Sequence, residues 1–381
     1  MRQWATRYVA GVRNAAVDFD AASSEPLHPA ARDVLLAALD RGYADPRRLH
    51  GRARDARLLL DNAREVVAEA LHVRRDEVSF TSSGTDAVHR GLLGLASARA
   101  PRGRSRVVHS AVEHSAVLHA ASWWGSGTVV GVDSLGRVYD GDLVEQSIGG
   151  DVAVTALQSA NHEVGTVQDV GAFELPDGVP LFMDACASMG RLPLPEHGWS
   201  AAAGSAHKWG GPAGVGVLLV RQAARWEQPF PHDDRADARS TGFENVPAAL
   251  AAAAALQAVV AEREDTNARH VALVDRVRRA ASDLPDTEVV GDPVRRLPHL
   301  VTFSCLYVNG EALVTELDRR GFGVASGSAC TASTLEPSHV LAAMGALTHG
   351  NVRVSLGRDA TQAQVEEFCR VLPEVVAGLR A

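Results

Sequence analysis

From about residue 55 the chain alternates between two hydrophobic periods. Apolar residues recur at helical spacing over 53–71, and 77–81 then reads as a short buried strand. Gly84 and Thr85 break that strand, and the helical period resumes over 86–98. Further β-like runs follow at 106–109, 129–132, 152–158, 179–183 and 215–220. Apolar strands separated by helical stretches predict βαβ units. The expected fold is therefore α/β, with a mostly parallel sheet flanked by helices on both faces.

The rhythm changes after an alanine-rich segment, 245–284, which predicts one or two helices. Asn245 is placed to cap it, with Pro247 in the first turn. Beyond it come a strand at 300–308, a helix at 310–321, a strand at 352–356 and an amphipathic helix at 362–379. That succession predicts a smaller α+β unit. The boundary falls inside the long helix: a large domain over 18–257, and a small domain over 258–381 joined by residues 1–17.

Composition then narrows the chemistry. Of 38 basic side chains, 37 are arginines and one is a lysine, Lys208. Any reaction that needs a side-chain primary amine has one candidate. Charged residues at 22% and hydrophobic residues at 46% describe a chain with ample core. A formal net charge of −8 argues against direct nucleic-acid binding and against an anionic membrane surface. Four scattered cysteines, Cys186, Cys305, Cys330 and Cys369, contain no CxxC pair, so no metal site is expected and a reducing compartment is. The apolar stretch 246–261 holds Gln257 and falls short of a bilayer span, and no signal-like run follows Met1. A cytoplasmic, soluble protein is the expectation.

Lys208 lies between a run of small residues and the glycine-rich stretch 210–216. A lysine whose surroundings lower its pKa forms Schiff bases with carbonyl groups, pyridoxal phosphate among them. Such a cofactor needs a carboxylate beside its ring nitrogen. Asp184, at the end of an apolar run, is placed for that. Its phosphate needs helix N-terminal amides and hydroxyls, which the stretch 81–86 supplies.

With these residues in hand, the chain resembles the group I cysteine desulfurases, within the class V, fold-type I pyridoxal-phosphate enzymes. Seven segments match in order along nearly the whole length. Ser83-Gly-Thr-Asp-Ala87 is similar to the family's phosphate turn, implying contacts from Gly84 and Thr85. Glu113-His-Ser-Ala-Val117 resembles the EHxAV motif and implies that His114 stacks on the ring and takes part in catalysis. Asn161-His-Glu-Val-Gly-Thr-Val-Gln168 resembles NNExGxxQ, implying cofactor and substrate contacts from Asn161. Asp184 matches the ring-nitrogen partner. Ser205-Ala-His-Lys208 matches SxHK, implying phosphate contacts from Ser205 and His207 and the Schiff base on Lys208. Ser326-Gly-Ser-Ala-Cys-Thr-Ala-Ser333 resembles the loop of the catalytic cysteine, here Cys330. Arg353-Val-Ser-Leu-Gly357 resembles the strand whose arginine holds the substrate carboxylate.

The resemblance implies conversion of L-cysteine to L-alanine. Lys208 moves the α-proton, and the sulfur passes to Cys330 as a persulfide for delivery to an acceptor protein. It also implies a homodimer, with Thr241 reaching the neighbouring subunit's phosphate. Cysteines inside packed elements are ordinarily small hydrophobes. That reading is expected for Cys305 and Cys369, whereas Cys330 sits among serine, glycine and threonine. Three positions depart from the family pattern. Ala187 stands where a glutamine reaches the cofactor's phenolic oxygen, His162 replaces the second asparagine of NNE, and 239–245 carries an inserted residue. The competing readings are another fold-type I enzyme (a carbon–sulfur lyase, a selenocysteine lyase or an aminotransferase) and a non-catalytic α/β protein.

Overall fold

A computed structural model describes residues 17–100, 103–231, 237–240, 242–326 and 337–381. Its centre is a seven-stranded sheet. In chain order the strands are β2 (Val78–Thr81), β3 (Arg106–Ser110), β4 (Ser126–Val130), β5 (Val152–Gln158), β6 (Leu181–Asp184), β7 (Ala201–Ser205) and β8 (Gly216–Val220). Their spatial order is β2-β8-β7-β6-β5-β3-β4. Every neighbouring pair is parallel except β2–β8 and β8–β7. β2 therefore runs the same way as β7, and the carboxyl ends of β2, β3, β5, β6 and β7 gather on one edge.

Side chains of each strand alternate between two buried faces. Leu181, Met183, Ala202, Val217 and Leu219 enter one core, with the helices α1 (Pro29–Leu39) and α2 (Gly51–Leu71) and the start of α6 (Val246–Ser282). Phe182, Ala201, Ala203, Leu218 and Val220 enter the opposite core, under α3 (Gly84–Ser97) and α4 (Ser115–Trp124). Double-faced burial is what continuous apolar strands require.

The sequence pattern missed β7. Its residues, Ala201-Ala-Ala-Gly-Ser205, lack the β-branched and aromatic side chains that mark strands. Tertiary pairing on both sides, and the need for a thin strand under α3, override that weak propensity. β4 is also shifted, to Ser126–Val130 from the expected 129–132, because its parallel register with β3 begins at Arg106↔Ser126.

The 245–284 segment forms one helix of 37 residues, capped by Asn245 Oδ1 accepting from the Ala248 amide at 3.2 Å. Its alanine-rich start lies in the first core, whereas Leu273, Val274, Val277 and Ala281 belong to a separate core. Among the described residues this helix is long and apolar enough to cross a membrane, unlike the shorter stretch read from sequence. Half of its most apolar window is buried inside the protein. The second core gathers an antiparallel sheet of β9 (Thr287–Val290), β10 (Leu300–Cys305) and β12 (Asn351–Ser355), in order β12-β10-β9. The helices α7 (Gly310–Arg319) and α9 (Gln362–Arg380) pack on it. Short strands β1 (Val17–Asp18) and β11 (Phe322–Gly323) pair in parallel, so residues just after β1 lie beside this unit. Cys305 is fully buried in β10, and Cys369 is partly buried against the same core.

The approach of α3 to the sheet rests on glycines. A Cβ on Gly94 would drive into the indole of Trp226, whose Nε1 donates to the Arg90 carbonyl at 2.8 Å. A Gly94→Ala protein should lose about 1–3 kcal/mol of stability by overpacking, read as a lower denaturation midpoint at unchanged m-value.

Candidate active site

The candidate cavity opens at the carboxyl edge of the large sheet, where ligands bind in open α/β folds. A cavity of about 690 Å3, counting its open mouth, is lined there by Gly84, Thr85, His114, His162, Asp184 and Lys208, with Gln158, Cys186, Ala187, Ser205 and His207 among their neighbours.

The end of the cavity at Gly84 is the turn from β2 into α3. Ser83 caps the helix, its Oγ accepting from the Asp86 amide at 3.0 Å. The Asp86 carboxylate in turn accepts from the Ser82 amide and hydroxyl, both at 3.1 Å. These bonds fix the turn and leave the first amides of α3, at Gly84 and Thr85, aimed along the helix axis, where an anion is favoured. Gly84 must be glycine, since a Cβ would stand 2.5 Å from Ser205 Cβ and 2.8 Å from Ser205 Oγ. The start of α3 and the end of β7 thus stand side by side at this end of the cavity.

Lys208 ends a 3-10 turn, Ala206–Lys208, that follows β7 directly. Its Nζ donates to the Ala22 carbonyl at 2.5 Å, and its own carbonyl accepts from Arg191 at 3.3 Å. Arg191 is paired with the buried Glu25 at 2.6 Å. His207, half-buried, has its pKa lowered by burial and by the Lys208 charge.

Asp184 closes β6, and its Oδ1 accepts from the Cys186 amide at 2.9 Å. The Cys186 thiol is held well above the ordinary thiol range, first by burial and then by Asp184. It is therefore a neutral lining group and not a thiolate. His114 caps α4, with Nδ1 accepting from the Ala116 amide at 3.1 Å. That contact leaves Nε2 as the nitrogen that bears the proton in the neutral ring. Burial lowers its pKa, and Asp184 opposes the shift. His162 stands edge-on to it, ring centroids 5.0 Å apart and planes at 72°. His162 is pushed well below the usual histidine range by burial and by the neighbouring His114, so two neutral imidazoles form one wall.

The structure does not bring Asn161 to the cavity. Its amide donates to the Val112 carbonyl at 3.0 Å, and its Oδ1 accepts from the Glu163 and Val164 amides, both at 2.8 Å. That side chain is spent on folding the turn after β5, and the next residue, His162, is the one that faces the cavity. The side-chain amide that the resemblance assigns to cofactor and substrate is bonded here to three backbone groups. Thr241 and Cys330 lie outside the described residues.

Arg353 is buried in β12, opposite Thr302. The anionic partner that a buried arginine requires is Asp20, at 2.8 Å, with Ser23 Oγ at 2.6 Å and the His162 carbonyl at 3.0 Å. Sequence reasoning missed Asp20, because 333 residues separate it from Arg353 and no local pattern joins them. It also missed two buried acids. Glu163 accepts from Ser338 Oγ at 2.5 Å, and Glu113 accepts from Ser110 Oγ at 2.6 Å and the Gln158 amide at 2.9 Å. Burial pushes Glu113 up to about 8 and Glu163 up to about 7.

The profile of the class-V aminotransferases matches residues 17–368. The chain belongs to that family. It is 36% identical over 381 residues to the IscS-like cysteine desulfurase of Mycobacterium tuberculosis, covering 95% of this chain and 96% of the relative. With the cysteine desulfurase IscS of Methanosarcina thermophila it shares 30% identity over 379 residues, covering 96% and 93%. Among solved structures it resembles a NifS-like protein, with TM-score 0.87 and 26% identity, covering 96% of this chain and all of that one. An α/β enzyme of the cysteine-desulfurase type is what this class-V chain resembles, as its sequence implied.

Glu113 gives a pH test of the site's interior. Its carboxyl holds a proton in the folded state between about pH 4.5 and about 8, where the unfolded chain has released it. More protons bound when folded means stability falls as pH rises through that window, by up to about 1.4 kcal/mol per pH unit. A Glu113→Gln protein should lose that slope. Its midpoint relative to wild type should be higher at pH 8 than at pH 5 in paired denaturant titrations.

Proposed function

We propose that this protein is a pyridoxal-phosphate-dependent cysteine desulfurase that converts L-cysteine to L-alanine and passes the sulfur to Cys330. The observation that carries the reading is the meeting, in one cavity, of the chain's single lysine, a buried aspartate and a histidine cap, beside a helix N-terminus. The residues present fit the cofactor. Gly84, Thr85, Ser205 and His207 form a cradle for a phosphate, and Asp184 is an anion for a ring-nitrogen proton. His114 offers a neutral face for stacking. Pyridoxal phosphate, when bound there, supplies an electron sink for charge left at the substrate Cα.

The protein's own groups do the rest. Lys208 is the attachment point and then the base that takes the Cα proton and returns it. Asp184 keeps a positive partner fixed beside it, and His114 moves a proton on the opposite side of the cavity. Arg353 holds the substrate carboxylate. The Cys330 thiolate attacks the substrate sulfur, and the C–S bond breaks. Its electron pair returns to the substrate carbon, which takes a proton and leaves as alanine, with the persulfide left on Cys330. Asn161, on its geometry, supports the turn that carries His162. Thr241 is proposed as a phosphate contact from a partner subunit.

A homodimer in the cytoplasm belongs to the same reading. The exposed Leu36, Leu39, Tyr43, Leu49 and Leu58 of α1, α2 and the chain between them, and the exposed Trp123 of α4, are apolar surface of the kind a second copy covers. The division into a domain over 18–257 and one over 258–381 with residues 1–17 rests on the two cores that share α6, with Phe19 lying in the second of them.

Purified protein should be yellow and should form alanine and protein-bound persulfide from cysteine. Lys208→Ala should lose the absorption band and at least roughly 10²–10⁴ in rate. Cys330→Ala should keep the band and lose the persulfide. Full sulfide release by Cys330→Ala would instead identify a carbon–sulfur lyase.

A further inference from the structure

Arg353 is a buried cation paired with one acid, Asp20, and bonded to the backbone beside a second, Glu163. Asp20 already holds its Nη2 at 2.8 Å. Glu163, buried in the turn after β5, is close enough that the Arg353 charge pulls its pKa down against the effect of burial. Arg353 Nη1 donates to the carbonyl of His162, the residue before Glu163, and Arg353 Nε is buried with no partner among the described residues. A substrate carboxylate on this arginine brings a third acid. One guanidinium does not balance a partly exposed Asp20, the enclosed Glu163 and an added carboxylate, and like charges gathered around one cation favour a proton on the most enclosed of them.

Asp20 is partly open to solvent, with a side-chain exposure of 31%, and makes the direct ion pair. Glu163 is enclosed. Its Oε2 accepts from Ser338 Oγ, the cap of α8 (His339–Met344), and its Oε1 is 3.6 Å from His162 Nε2. The charged and titratable groups around this cluster are His162 on the same turn, Arg353 on β12, Asp20 beyond it, and His339, His114 and Lys208, whose charges bear on His162. Among the described residues, Arg353 is the cation that acts on Glu163.

We propose that Glu163 is a positioning residue that takes up one proton when an amino-acid carboxylate binds Arg353, so that the charge around the buried guanidinium stays balanced. The inference deepens the assignment of Arg353 as the carboxylate site and rests on it. The proton comes from solvent and goes to a Glu163 carboxylate oxygen; no covalent bond changes. Burial already holds Glu163 up to about 7, so the uptake falls in the physiological range. The Ser338 hydroxyl, which lowers that pKa by donating to the ionised form, sets where the change occurs.

The experiment titrates L-alanine into the holoenzyme and follows the cofactor absorption from pH 6 to 9. Alanine has the carboxylate and amine of the substrate but no sulfur to transfer. In wild type the affinity should fall by up to about tenfold per pH unit above neutrality. Calorimetry in two buffers of different ionisation enthalpy should show proton uptake near pH 7.5. Glu163→Gln keeps an acceptor for Ser338, and should bind alanine with the wild-type low-pH affinity across this range and without that proton. Ser338→Ala should move the fall to higher pH. Binding with the same pH dependence and proton count in wild type and Glu163→Gln overturns the role of Glu163 and leaves Arg353 in place. No spectral response to alanine at any pH removes the carboxylate site and the inference with it.

Discussion

The arrangement depends on how closely α3 can lie against the sheet. Helices ordinarily stand a full side chain away from the strands they cover. Here Gly84, Gly91 and Gly94 face Ser205, Phe182 and Trp226 with no room for a Cβ. The strand beneath cooperates, because β7 is alanine, glycine and serine throughout. That thinness brings the N-terminus of α3 against Ser205. Three residues later the chain reaches Lys208, and one strand over it reaches Asp184. The spacing of amine, carboxylate and helix amides is therefore a packing result before it is a chemical one.

The same constraint explains what the sequence disclosed. Strands such as β5, with seven consecutive buried positions, declare themselves by apolar content. β7 does not, because the side chains that mark a strand are those that would push α3 away. Motif residues were legible where chemistry restricts them to one type: Lys208 as the single lysine, Asp184 at a strand end, Gly84 at a helix start. Asn161 shows why a residue type alone does not fix a role. An asparagine in a turn has two uses, and here its amide is taken by three backbone groups, so the side chain facing the cavity is the next one, His162. The pairings of Asp20 with Arg353 and of Glu163 with Ser338 left no local trace, since 333 and 175 residues separate the partners.

Those long-range partnerships decide how the C-terminal unit sits over the carboxyl edge of the large sheet. Asp20 and Ser23 precede the first helix, yet they bind Arg353 on β12, and β1 pairs with β11 nearby. Thr302 of β10 donates to the Glu163 carbonyl at 2.6 Å, and Ser338 donates to its carboxylate. The N-terminal segment, the turn after β5 and the small sheet are thus tied at one polar knot. Polar groups at such a junction are costly unless each finds a partner. Nearly all of them do, Arg353 Nε being the exception.

Charge economy is the last consequence. Around the cavity the structure buries Asp184, Glu113 and Glu163 but supplies few cations, chiefly Lys208 and Arg353. Burial answers this by keeping Glu113 and Glu163 protonated to higher pH than ordinary carboxyls and the two facing histidines neutral. Among the described residues, Asp184 is then the acid that lines the cavity together with Lys208, the charge pattern that the proposed protonated pyridine ring beside a lysine attachment would need. An added carboxylate disturbs that pattern only at Arg353. Glu163 is the enclosed acid beside it, held up by burial, so on the proposed reading a carboxylate and a proton arrive at the same junction.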